Sequence, residues 1–276
     1  MTAAEPIVRL ERPREGVALL RVANPPLRNH ASWALVEQLA ARLVEAREGG
    51  ARVVVLASSL PGHWIEHAWL PDLMHMLRGE PTSGDGGAWF RALQELSQTD
   101  VVSIAAISGD CSGGGAELGW ACDLRIAEEQ ACFSQPEVQI GVATGVGGTC
   151  RVARRIGRTA TAELVLDGTP MRARRLYELG GVNRVVPRGE ATPVALAWAS
   201  RLADRPPHAL AAQKQMLIAA EEIPVLSEAL ANEQRLFQRV VVRPEAMEGM
   251  QRTQARFDAG ETLRGVYGEP RDERAD

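Results

Sequence analysis

The sequence predicts an α/β fold, a largely parallel sheet covered by helices and followed by a helical C-terminal region. Three observations predict it. The continuous apolar runs RVVVLA at 52–57 and VVSIAAI at 101–107 have the character of strands buried on both faces, as parallel strands are. Helical segments precede both runs and follow the second, so strand and helix alternate as in βαβ units. Beyond about residue 190 no strand pattern recurs.

The elements follow in order. PIVRLERPREGVALLRVA at 6–23 alternates around a Pro-Arg-Glu-Gly turn and predicts a hairpin. Trp33, Val36, Leu39, Ala40 and Leu43 recur at helical spacing between Ser32 and Arg47, and a Gly-Gly pair stops that helix before strand 52–57. GEPTSGDGG at 79–87 predicts a mobile loop. A helix at 88–98, strand 101–107, a helix from about 114 and strand DLRIA at 123–127 complete the alternation. The end is wholly helical, from TPVALAWASRLA through PHALAAQKQMLIAAE to 223–257. Two regions result, a core over 1–190 and a helical region over 191–276.

Bulk properties exclude several function classes. A 45% hydrophobic, 24% charged chain is an ordinary globular composition, which removes disordered and fibrous classes. The net charge of -4 supplies no general attraction to phosphate backbones. Nucleic acid is therefore not an expected partner. Cys111, Cys122, Cys132 and Cys150 match neither zinc spacings nor a disulfide framework and are expected to be reduced and small apolar residues. The N-terminus has no apolar signal core, and no stretch of about 18 apolar residues occurs. A soluble, cytoplasmic chain without membrane contact is expected.

The chemistry concentrates at CSGGGAELGWACD, 111–123. The glycines fit neither a dinucleotide GxGxxG frame nor a P-loop, because Leu118 and Cys150 occupy the sixth positions and the only lysine, Lys214, lies in a helical stretch. What remains is a glycine turn between a strand and a helix. There the first N–H groups have no intrahelical partner and suit a developing negative charge, or the glycines simply make a tight connection. A second acid, Glu137, follows a proline in FSQPEVQIGVATGVGGT at 133–149. Glu117 and Glu137, separated by one strand and one turn, are candidates for proton transfer without a metal or cofactor.

At these residues the chain resembles the crotonase superfamily, the enoyl-CoA hydratase/isomerase family. The resemblance rests on AAISGDCSGGGAELGWACDLRIA at 105–127 and FSQPEVQIGVATGVGGT, and extends to NPPLRNHAS at 24–32, VVVLASSLPGHWIEHA at 53–68 and GGVNRVVP at 180–187. It implies a spiral of ββα-like units with helical C-terminal closure, and the hydration of a 2-enoyl-CoA. Coenzyme A then enters as part of the substrate, with no separate cofactor and no metal. The resemblance further implies that the N–H groups of Gly114 and Ala68 hold the thioester oxygen and that Glu117 and Glu137 manage water and proton. Gly113 and Arg28 fall at substrate positions, Arg28 toward the coenzyme A phosphates. A homotrimer or dimer of trimers is implied as the assembly.

Departures from the family pattern cluster in one loop, where Glu66, His67 and Trp69 replace the commoner Ala, Gly and Asp around Ala68. Glu66 and Trp69 are therefore candidate substrate contacts. Isomerisation, or another enolate reaction such as decarboxylation or C–C cleavage, is the alternative within enzymes, and a non-catalytic binding protein the alternative outside them. His63, His67 and His75 lack metal-site spacing. Cys111 has no adjacent base. Trp89 and Phe90, at helical spacing with Leu93 and Leu96, are expected to serve the core rather than line an acyl pocket.

Overall fold

The computed structural model describes residues 7–268. The first residue of the expected hairpin and the last eight of the expected helical region lie outside them. In chain order the strands are β1 (Val8–Arg14), β2 (Val17–Val22), β3 (Val53–Ser58), β4 (Gly62–His63), β5 (Val102–Ile107), β6 (Gly109–Ser112), β7 (Leu124–Glu128), β8 (Cys132–Ser134), β9 (Met171–Arg172) and β10 (Arg184–Val186). A six-stranded sheet has the order β1-β2-β3-β5-β7-β10, parallel apart from the β1–β2 hairpin. A smaller sheet has the order β4-β6-β8-β9.

The apolar runs are where the sheet is most buried: every residue of β5 is buried, as are the first five of β3. The helices that flank the sheet are α1 (Trp33–Glu48), α2 (Leu70–Arg78), α3 (Ala88–Leu96), α4 (Gly113–Ala121), α5 (Cys150–Ala162), α6 (Ala173–Glu178) and α7 (Ala191–Ala203). Helix α1 begins as its sequence predicts, with Ser32 Oγ accepting from Leu35 N–H. It turns Leu35, Val36, Leu39, Ala40, Leu43 and Ala46 into the core. Helix α7 lies on β3, β5 and β7 with Ala191, Ala195, Ala199 and Ala203 buried, a stripe of small side chains at i, i+4 spacing that permits close approach.

Two compact units divide the chain, one ending at Asp204 and one starting at Arg205. The first therefore takes in α7, beyond residue 190. The second comprises α8 (Pro207–Glu222), α9 (Leu226–Val241), α10 (Pro244–Asp258) and α11 (Leu263–Tyr267). Within it α8 packs on α9, and α10 is tied to α11 by Arg256, which donates to the carbonyls of Gly265 and Val266 at 2.9 and 3.1 Å.

Loop 79–87, expected to be mobile, is tied down instead. The buried Asp72 carboxylate accepts from Trp33 N–H (2.8 Å), Ser83 N–H (2.7 Å) and Ser83 Oγ (2.7 Å), joining α2, the start of α1 and the loop. Two glycines of this loop serve packing: a Cβ on Gly84 would lie 2.9 Å from Ala34 N, and one on Gly86 2.9 Å from the Trp33 ring. The cysteines are all free, but only Cys111 and Cys122 are buried as expected, whereas Cys150 is exposed.

The helix that carries Glu117 is anchored at its far end. Arg125, buried at the start of β7, donates to the carbonyls of Cys122 (2.6 Å) and Gly119 (3.3 Å) at the close of α4, and to Gly181 O (2.7 Å). A cation at a helix C-terminus meets both the orphan carbonyls and the negative end of the dipole.

Candidate active site

Helix α4 opens with three glycines, each used differently. Gly113 has φ of +48°, in the left-handed region that favours glycine, and a Cβ there would lie 3.2 Å from His67 Nε2 and 3.3 Å from Glu137 Oε1. A Cβ on Gly114 would lie 2.7 Å from the Trp89 ring and 3.3 Å from Ala68 Cβ. On Gly115 it would lie 1.9 Å from the Glu66 carbonyl oxygen and 2.0 Å from that of Ile65. Gly115 thus lets backbone 65–66 lie directly on the helix, which brings Ala68 beside Gly114.

Gly114 holds the second position of α4, where an N–H has no intrahelical acceptor. Among the described residues neither its N–H nor that of Ala68 meets an acceptor. Loop 67–69 is fixed by a parallel bridge between Ala31 and Ala68, in which Ala31 N–H donates to His67 O (2.8 Å) and Trp69 N–H to Ala31 O (3.0 Å). Asn29 sets the segment before Ala31. It is fully buried at φ of +58°, a conformation asparagine tolerates, and its side chain accepts from Asn24 N–H (2.7 Å) and donates to Ser58 Oγ (2.8 Å). Its carbonyl accepts from Glu66 N–H at 3.1 Å.

Glu117 is 3% exposed, and its Oε1 accepts from Val146 N–H (3.0 Å) and Gly148 N–H (2.6 Å). Arg151 shapes that loop by donating to Val146 O at 2.7 Å and occupying the space a Gly147 Cβ would need. A Cβ on Gly148 would strike the Gln135 amide at 2.7 Å. Gln135 is fully buried, and with its amide oriented by its partners the nitrogen donates to Glu137 Oε1 at 3.0 Å. Glu137 itself opens the 3₁₀ turn Glu137–Ile140 and is 7% exposed.

Burial pushes the Glu117 carboxyl above the usual carboxylate range, against the backbone N–H groups of Gly148 and Val146 and the charge of Arg151. Burial likewise pushes Glu137 up; its own backbone hydrogen bond and His67 oppose the rise, and the Glu117 charge adds to it. Two such carboxyls, one charge felt by the other, lie beside a glycine turn with unpartnered N–H groups. This arrangement suits proton transfer next to a developing oxyanion.

The other expected residues are placed differently. Glu66 turns its carboxylate to His63 Nδ1 in β4 and, at 3.8 Å, to His30 Nε2, rather than to Glu117 or Glu137. Trp69 sets its ring edge-on to His30, with centroids 6.1 Å apart, at the start of α2. Arg28 is exposed at φ of +51°. Among the described residues no group of three His, Cys, Asp or Glu side chains is placed to hold a metal ion. Burial pushes the Cys111 thiol well up, which suits an inert core thiol rather than a nucleophile. Trp89 is in the core as expected, with its ring also abutting Gly114, but Phe90, one position on and so turned to another side of α3, is exposed. His67, Gln135, Arg151 and Asn29 were not among the expected site residues. The contacts of Asn29 with Ser58 and Glu66, of His67 with Gly113 and of Gln135 with Gly148 join segments apart in sequence, and only the Gln before Pro136 and the glycines at 147 and 148 hinted at them.

A family description, enoyl-CoA hydratase/isomerase, matches residues 12–259. The 2,3-dehydroadipyl-CoA hydratase of Escherichia coli K12 is 30% identical over 237 residues, covering 86% of this chain and 91% of that protein. A probable enoyl-CoA hydratase of Mycobacterium leprae is 36% identical across 59% of this chain and 63% of its own. Among solved structures, an enoyl-CoA hydratase from Polaromonas sp. JS666 superposes with a TM-score of 0.81 at 26% identity, covering 92% of this chain and 98% of that one. One from Bacillus anthracis gives 0.80 at 26% identity, covering 95% and 100%.

Proposed function

The chain belongs to the enoyl-CoA hydratase/isomerase family, and from that membership we propose that it adds water across the 2,3 double bond of an acyl-CoA thioester. The observation that carries the proposal is the meeting of two buried carboxyls, Glu117 and Glu137, with the unpartnered N–H groups of Gly114 and Ala68. Water lies between the carboxyls. Glu117 Oε1 is committed to two backbone donors, which leaves Oε2 to accept one hydrogen of the water. Glu137 takes the other as the oxygen bonds to C3. The electron pair of the double bond moves onto the thioester oxygen, where the two N–H groups stabilise the enolate. Glu137 then returns the proton to C2, so that water is added and the carboxylate regenerated.

Arg28, exposed beside this loop, takes the coenzyme A phosphates; Gly113 and Trp69 border the acyl group, and Glu66 orders the loop through His30 and His63. A homotrimer or dimer of trimers belongs to the same reading, supported by Leu217, Leu226, Leu230 and Phe237, large apolar side chains exposed on α8 and α9. Light scattering that returned a monomer would remove that part. Among the described residues no helix is long and apolar enough to cross a membrane, and we place the protein in the cytoplasm.

The test is turnover of crotonyl-CoA, followed by loss of the conjugated thioester absorbance and by mass spectrometry of the product. A gain of one water is expected, and Glu117→Gln and Glu137→Gln should each lower turnover by about a hundredfold or more. A product of unchanged mass with a moved double bond would replace hydration by isomerisation. Normal turnover in either variant would remove that residue from its role.

A further inference from the structure

His67 is a side chain the mechanism above does not use, in the position where the family pattern has a residue with no side chain. Its ring is oriented by its own loop: Nδ1 lies 3.0 Å from the Ala68 carbonyl oxygen. A carbonyl only accepts, so Nδ1 carries a hydrogen, and Nε2 is the nitrogen that faces the site, where a second proton makes the ring a cation. Nε2 lies 3.2 Å, and Glu137 Oε1 3.3 Å, from the point where a Gly113 Cβ would be. The left-handed φ of Gly113 and its missing side chain keep that point open between imidazole and carboxyl. A side chain at 113 would press on the imidazole and the carboxyl alike, and the glycine leaves that space to them.

We propose that His67 is a positioning residue of the site, whose imidazole, aimed by the Ala68 carbonyl, holds Glu137 in the ionised form that accepts the proton of water. This deepens the hydratase reading and rests on it. The groups around the pair are few. Glu117 faces Glu137 from α4 as a like charge, Gln135 donates to Glu137 from the segment after β8, and Arg151 on α5 acts on Glu117. Glu66, next to His67 in the loop, is engaged by His63 and His30. When protonated, His67 adds to the backbone hydrogen bond of Glu137 in opposing burial and the Glu117 charge.

The sign is definite. A neighbouring cation favours the carboxylate, so removal of the imidazole raises the Glu137 midpoint, and the acid limb of hydration moves to higher pH. Two variants divide the ring between its nitrogens. His67→Asn keeps a donor near the Ala68 carbonyl and removes the group at Nε2; His67→Gln keeps a neutral polar group toward Glu137. Neither restores a cation. In each, the Glu137 carboxyl, followed by carbon-13 NMR of protein labelled at glutamate and identified by its loss in Glu137→Gln, should titrate at higher pH than in the wild type.

The acid limb of kcat/KM with crotonyl-CoA should move with it, and melting temperature should not predict the size of the move. A Glu137 midpoint unchanged in both folded variants overturns the proposal, whatever the enzyme does to crotonyl-CoA. A wild type that leaves crotonyl-CoA untouched, while the NMR midpoint shifts as stated, overturns the hydratase reading and leaves the His67–Glu137 coupling standing.

Discussion

Replacing Gly115 by alanine adds one methyl group at the tightest backbone contact of the site. The new Cβ would lie 1.9 Å from the Glu66 carbonyl oxygen and 2.0 Å from that of Ile65. Carbon and carbonyl oxygen approach no closer than about 3.3 Å even in favourable C–H···O contacts, so one backbone must retreat by more than an ångström. Neither has room. Trp64 and Ile65 are fully buried, and α4 is held at its other end by Arg125. The cost stands near the upper end for overpacking, about 3 kcal/mol, and the better helix propensity of alanine returns about 1 kcal/mol. A net loss of about 2 kcal/mol corresponds to a melting temperature lower by about 4–8 °C for a protein of this size. Thermal unfolding followed by circular dichroism at pH 7 measures it. Because residues 65–66 lead directly into His67 and Ala68, crotonyl-CoA turnover should fall in the same variant. A Gly115→Ala protein that melts with the wild type would refute the account of how the loop is seated on α4.

Two further outcomes follow from neighbouring groups. Gly114→Val keeps the N–H but sets carbon against the Trp89 ring and Ala68, so hydration should drop by about a hundredfold, the scale of losing one oxyanion donor, with a smaller change in melting than Gly115→Ala shows; near-normal turnover would separate Gly114 from the thioester oxygen. The raised carboxyl of Glu137 gives a pH test of stability. Its folded state holds the proton to higher pH than the unfolded chain does, so the ionised group costs stability as pH rises through that interval. Glu137→Gln should therefore melt higher than the wild type near pH 7 and lose the advantage below about pH 4.3; an advantage that grew on acidification would contradict the burial cause.

Most of the large sheet and its helices was legible in the sequence, because β3, β5 and α1 carry strong local patterns. Burial on both faces writes itself as VVVLA and VSIAAI, and the Ser32 cap with its apolar i, i+3, i+4 positions announces α1. The small sheet was not. Strands of two to four residues, such as β4, β6, β8 and β9, are too short to show periodicity and exist only through their partners. The site divides the same way. Glu117 and Glu137 stand in recognisable local strings, and the structure sets Glu137 beside Gly113 and Glu117, one turn along the same helix, on the backbone of 146–148. The loop 79–87 misled because glycine, serine and aspartate have the composition of a mobile segment, while the residue that fixes it, Asp72, lies a helix away. His67 appeared as one of three histidines without metal spacing; its meaning depends on the left-handed turn at Gly113, which composition does not encode.

The bridge between Ala31 and Ala68 has an electrical side. The peptide unit whose N–H belongs to Ala68 has its carbonyl on His67, and that carbonyl already accepts from Ala31 N–H. Hydrogen bonds in series polarise one another. Electron density drawn toward the Ala31 end leaves the Ala68 hydrogen more positive, so an anion meeting it encounters the front of a two-peptide relay rather than a single dipole. Asn29, fully buried two residues before Ala31, then contributes to the strength of that donor by keeping the relay straight.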